Sequence, residues 1–235
     1  MQDVELIYCD EHLAMVAKPS GMAVHRGWDR EGPFALQLAR DQVGRRVFPI
    51  HRLDRPTSGV LLFGLSPEAA DAVQRQFQAG TVEKRYLALV RGIPDEHGRV
   101  DHPVPRAKDK QERVDAVTEY RRLAVFERYA LVEARPETGR LHQIRRHMKH
   151  ISRHIIGDVN YGKGEHNRWF RQEFGLHRLA LHALSLRLSH PVTQQPLYFY
   201  AAPPADLAEP FSAMGFDADL WAPTGDVAQS SVQGP

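Results

Sequence analysis

The chain has 235 residues, 42% hydrophobic and 26% charged, a globular composition that excludes wholesale disorder, collagen-like sequence and coiled coil. Thirty-one Lys and Arg against 29 Asp and Glu leave a formal charge of +2, so net charge alone does not mark a nucleic-acid binder. One cysteine, Cys9, excludes an intrachain disulfide and a thiolate zinc site.

In chain order, residues 4–8 and 13–18 read as two short strands joined by a polar turn and closed by Pro19-Ser20-Gly21. Phe34, Leu36, Leu38, Ala39 and Val43 follow Gly32-Pro33 at helical spacing and predict a helix over 34–43. The apolar run 60–65 suits a strand buried on both faces. Ser66-Pro67 has the form of a helix N-cap with proline in the first turn, and Ala69, Ala70, Val73 and Phe77 keep helical spacing up to Gly80. Residues 86–90, 118–126, 129–135, 183–189 and 197–201 read as further strands, which makes the fold class α+β: a mixed, largely antiparallel β-sheet with flanking helices. The charged, proline-interrupted stretch 99–115 predicts a long loop or mobile insertion. Residues 222–235 hold one charge and no large apolar side chain, so a disordered tail is expected behind a domain spanning 1–221.

No run of about 18 apolar residues offers a membrane span. Asp3, Glu5, Asp10 and Glu11 precede the first basic residue, Lys18, so the positive start of a secretory signal is missing and the cytoplasm is the expected compartment.

Two segments concentrate chemistry. Residues 135–154 hold Arg135, Arg140, Arg145, Arg146, Lys149 and Arg153 with His142, His147, His150 and His154, against one acid, Glu137. Such density suits phosphate, because arginine presents a planar fork of donors; a solvated basic helix face is the competing reading. His150 and His154 are four apart, but no acid stands near to complete a zinc site. The second segment is His51-Arg52-Leu53-Asp54-Arg55-Pro56-Thr57-Ser58-Gly59. Positive neighbours favour the carboxylate form of an aspartate, which is the nucleophilic form; a structural aspartate at a turn is equally consistent with the residues alone.

Taken together, the segments resemble the RluA family of pseudouridine synthases. Arg52 to Gly59 matches R-L-D-x-x-T-S-G, Lys18-Pro19-Ser20-Gly21 resembles the first motif of that family, and Lys84-Arg85-Tyr86 its K-x-Y motif. Residues 138–147 match the basic motif T-G-R-x-H-Q-[IL]-R-x-H, with Ile156-Gly157-Asp158 following in the family's order. Val24-His25-Arg26, Asp41-Gln42-Val43-Gly44 and His190-Pro191-Val192-Thr193 look like the branch that modifies uridine 65 of tRNA.

The resemblance implies a pseudouridine synthase fold with a central RNA-binding cleft, no cofactor and no metal, and RNA as partner, tRNA first; it does not fix the oligomeric state, for which a monomer is the expectation. It implies Asp54, Tyr86 and Arg145 as catalytic residues: Asp54 the nucleophile, Arg145 its partner, Tyr86 stacked on the target base. It implies Arg52 entering the RNA helix as the target nucleotide leaves, Ile144 as an apolar wall, and Arg140, His142, Gln143, Arg146 and Lys149 as further substrate-binding residues. An rRNA-directed synthase and a non-catalytic RNA-binding module are the alternatives. A glycoside or nucleoside hydrolase would need a second carboxylate, and none stands near the motifs.

Overall fold

The computed structural model describes residues 4–26, 32–107 and 111–228. The elements are β1 Glu5–Cys9, β2 Leu13–Lys18, α1 Ala35–Val43, β3 Phe48–Pro49, β4 Ser58–Gly64, α2 Pro67–Ala79, β5 Glu83–Arg91 and β6 His97–Asp101. They continue with β7 Val104–Pro105, β8 Arg113–Val114, β9 Val117–Phe126, β10 Tyr129–Pro136, α3 Gln143–His150, α4 Gly164–Phe174, β11 Leu181–Ser189, β12 Pro196–Tyr200 and α5 Ala205–Ala213. This is the expected α+β class. The chain groups into two compact units: Met1–Glu83 with Ala183–Ala202 and Pro223–Pro235, and Lys84–His182 with Pro203–Ala222.

In the first unit β2 pairs antiparallel with both β1 and β4, β3 runs antiparallel to β4, and β12 to β11. Every residue of β4 is buried, as its unbroken apolar run predicts. Leu13, Met15, Val60, Leu62, Val73 and Phe199 form the core. Helix α2 begins where expected: the Ser66 hydroxyl accepts from the Ala69 N–H at 3.1 Å, and Gly80 ends it at φ 74°. Gly59 opens β4 at φ 117°, and a Cβ there would overlap the Ala183 carbonyl, so only glycine fits this end of the Thr57-Ser58-Gly59 turn.

In the second unit the strand order is β5-β10-β9-β6, all antiparallel. The stretch 99–115 corrects the expectation of a loop. It completes β6 and then forms a small hairpin, with Val104 opposite Val114 and Pro105 opposite Arg113; residues 108–110 lie outside the described residues. The expected disordered tail is also revised. The Ala228 N–H donates to the Tyr198 carbonyl at 2.8 Å and the Thr224 N–H to the Tyr198 hydroxyl at 3.1 Å. Main-chain bonds thus order a segment that has little side-chain surface to bury; residues 229–235 lie outside the described residues.

Candidate active site

Asp54 stands in the first unit on the turn that leads into β4. The Thr57 N–H closes the turn on the Asp54 carbonyl at 2.9 Å, and Asp54 is half-buried. Behind the turn lies Lys18, 1% exposed, whose ammonium donates to the carbonyls of Met22 (2.8 Å), Pro19 (2.9 Å) and Arg55 (3.2 Å). A buried cation needs such partners, and this one ties the Lys18-Pro19-Ser20-Gly21 segment to the aspartate turn. Gly21 and Arg55 exchange two further bonds, Gly21 N–H to Arg55 carbonyl at 2.9 Å and Arg55 Nε to Gly21 carbonyl at 2.8 Å, and the Ser20 hydroxyl donates to the Pro56 carbonyl at 2.8 Å. At the other end of the segment, His51 Nε2 accepts from the Leu62 N–H at 3.1 Å while its ring stacks on Phe77 at 5.1 Å. Asp54 is therefore presented by a loop braced on both sides. Arg52 beside it is exposed.

Tyr86 lies in the second unit on β5, opposite Ala134 of β10 and half-buried. Two residues earlier, and so on the same face of the strand, buried Lys84 donates to the Glu137 carbonyl at 3.0 Å. Burial lowers the Lys84 ammonium to about 8 against the opposing pull of Glu137. On the other face Arg85 pairs with Glu133, itself 1% exposed, through Nε at 2.7 Å, and Arg135 Nε reaches the second Glu133 oxygen at 2.7 Å. Tyr86 therefore sits on a strand held on both faces by charged groups.

The basic segment is divided by helix α3. Arg145 points inward, 3% exposed, and Asp158 takes it bidentately, Nε to Oδ2 at 2.7 Å and Nη2 to Oδ1 at 2.9 Å. Burial pushes the Asp158 carboxyl up, but the Arg145 bonds and charge, with N–H donors from Tyr161 and Asn160, outweigh it and hold it below the usual carboxylate range. The Tyr161 ring lies 5.0 Å from the Arg145 guanidinium carbon. His147, fully buried, contacts the Thr118 hydroxyl through Nδ1 and the His102 carbonyl through Nε2, both at 2.9 Å. A carbonyl only accepts, so Nε2 carries a proton.

The other candidate residues divide in the same way. Ile144 is buried, while Arg140 and Lys149 are exposed and Arg146 is half-buried. His142 is the αL residue before the helix, φ 53°. Gln143 is 4% exposed and spends its amide internally: its oxygen accepts from the Thr138 hydroxyl and the Arg140 N–H, and its nitrogen donates to the Val117 carbonyl and the Thr118 hydroxyl. In this arrangement Gln143 shapes the loop before α3 rather than facing a ligand. Asp54 and Arg52 belong to one unit, Tyr86 and the α3 residues to the other.

The model for RNA pseudouridylate synthases matches residues 12–150, more than half the chain and every one of the four motifs. The chain belongs to the RNA pseudouridylate synthase family. Among relatives of this RNA pseudouridylate synthase, tRNA pseudouridine synthase C of Vibrio cholerae is 47% identical over 220 residues, 84% of this chain and 90% of that protein. The protein of the same name from Vibrio parahaemolyticus is 43% identical over 240 residues, 93% and 98% of the two chains. The solved human RNA Pseudouridylate Synthase Domain Containing 4 superposes with a TM-score of 0.75 at 25% identity, covering 90% of this chain and 93% of that one. Sequence reasoning missed two features of the site. The bracing role of Lys18 leaves no local signature. Tyr161 lies beyond the basic motif, and its one sequence signal is the turn chemistry of Asp158 to Gly162.

Proposed function

We propose that this chain converts uridine to pseudouridine in tRNA, at uridine 65, using Asp54, Tyr86 and Arg145 on one target nucleotide. The observation that carries the reading is the half-buried Asp54 on its doubly braced turn; the similarity to proteins named tRNA pseudouridine synthase C supports tRNA as the substrate. In the reaction the N1–C1′ bond breaks, the uracil turns, C5 bonds to C1′, and the proton lost from C5 is balanced by one gained at N1, so nothing is consumed. Asp54 serves as a carboxylate, whether toward C1′, toward C6 or toward the C2′ proton. Arg145 supplies a buried positive charge, and Ile144 walls the base. Tyr86 stacks on the uracil and its phenol moves a proton late in the reaction. A paired stem base must be flipped out, at a few kcal/mol of lost stacking and pairing, and the exposed Arg52 offsets part of that by taking its place. Arg140, Arg146 and Lys149 hold phosphates. The enzyme acts as a cytoplasmic monomer; among the described residues no helix is long and apolar enough to cross a membrane.

The test is to incubate the protein, in chelator, with unmodified tRNA transcripts carrying U65 and with rRNA fragments, and to map the products. Pseudouridine at position 65 is expected, and Asp54→Asn, nearly isosteric but uncharged, should abolish turnover with little change in RNA affinity. Modification confined to rRNA would overturn the tRNA assignment, and no product in either pool would favour a non-catalytic RNA-binding module.

A further inference from the structure

Tyr161 gathers more of the basic segment than any other single side chain described around α3. Its hydroxyl accepts from Arg146 Nε at 3.0 Å and lies 2.9 Å from His142 Nδ1. Its ring has Arg145 at 5.0 Å, Arg146 at 5.7 Å and Lys149 at 5.7 Å from the centroid. Residues 145 and 149 are one helical turn apart, where like charges repel; an aromatic face between them supplies the negative quadrupole that makes the crowding tolerable. With the hydroxyl oxygen accepting from Arg146, its proton can go to His142 Nδ1, an arrangement that goes with the His142 tautomer protonated at Nε2.

The Tyr161 main chain is fixed separately. Its N–H donates to Asp158 Oδ1 at 3.0 Å, its carbonyl lies 2.6 Å from His154 Nδ1, and the Gly162 N–H closes the turn on the Asp158 carbonyl at 3.0 Å. The same Asp158 carboxylate grips Arg145. Side-chain substitutions at 161 thus leave the turn its own bonds and report on what the ring and hydroxyl do.

We propose that Tyr161 is a positioning residue of this active site: its ring face sets the direction of Arg145, and its hydroxyl sets Arg146 and the Nε2–H form of His142. One side chain thereby aligns the Arg145 guanidinium and the cations that hold RNA. The inference rests on the function proposed above. The two halves of Tyr161 separate in two variants. Tyr161→Phe keeps the platform and loses the hydroxyl: KM for RNA is expected to rise about tenfold, the loss of a hydrogen bond to a charged group, with kcat within about twofold of wild type because Arg145 keeps its platform. Tyr161→Leu loses both, and kcat should fall by about 100-fold, as for a small misplacement of a catalytic group. Imidazole nitrogen NMR of the RNA-free protein should show His142 leaving the Nε2–H form in both variants. Unchanged His142 signals in Tyr161→Phe, or equal kcat losses in the two variants, would overturn the proposal. A wild type that makes no pseudouridine would sink the function reading instead, and the NMR comparison would still decide the role of Tyr161 in holding His142. If Tyr161→Leu does not fold, Tyr161→Phe carries the test through its KM and its His142 signals.

Discussion

Asp158 and Arg145 are 1% and 2% exposed at their side chains, so each compensates the other for lost water. Removing one partner of a buried pair costs about 3–5 kcal/mol. Asp158→Asn is therefore expected to destabilise the protein by that order and to reduce turnover through a displaced Arg145. The pH dependence has a definite sign. The Asp158 carboxyl is held below its ordinary value of 3.8, so its contribution is complete above that value and is lost as pH falls through the folded value. Urea unfolding of wild type and Asp158→Asn should differ most near neutrality and converge in acid; equal midpoints at neutral pH would refute the assignment. Asp158 was legible as part of a motif, but its partner was not. Nothing in a sequence of clustered arginines says which one is taken out of water.

At the scale of elements, the strands and α2 were legible because their signals are local: the apolar run of β4, the Ser66 cap and the Gly80 stop. Helix α3 was not read as a helix with an inward face. Its buried residues are Gln143, Ile144, Arg145, His147 and Met148, and three of these five are of types that count as surface in any hydropathy pattern. The outward residues carry the next prediction. Lys149 on α3 and Arg140 in the loop before it are exposed, so replacing each by Ala should lower the slope of log affinity against log salt by roughly 1. An unchanged slope in the double variant, measured by titrating RNA at several salt concentrations, would place the phosphates elsewhere. Helix α4 also went unread. It is polar apart from an aromatic group that packs on the β9–β10 hairpin, with Phe170 at 4.6 Å and Trp169 at 5.5 Å from Tyr129.

At the scale of the molecule, the second unit holds three histidines whose imidazoles are kept below the ordinary range chiefly by burial: His102, His147 and His166. Unfolded, each takes a proton near 6.5; folded, each resists until lower pH. The unfolded state thus binds more protons in that window, and stability is full above it and falls as pH drops. His147 is the most buried of the three. His147→Gln, which keeps a donor for the His102 carbonyl, should flatten the decline in urea midpoint between pH 7 and pH 5. A decline of the same steepness would assign the acid sensitivity to other groups. Two of the four boundaries between the units, at Glu83 and Lys84 and at His182 and Ala183, fall inside β5 and β11, and no linker composition marks those two.

By itself the sequence determined the fold class, most of the strands, α2 and the family, because periodicity, caps and four spaced motifs are properties of neighbouring residues. Tertiary structure alone decided which charged groups are buried and what they do there. Arg145 finds Asp158 13 residues away and Arg85 finds Glu133 48 residues away. The order of 223–228 depends likewise on a distant residue, Tyr198, through its carbonyl and its hydroxyl. The physical reason is the same in each case. Burying a charge or a backbone amide is tolerable only when a partner arrives with it, and folding rather than local sequence brings that partner.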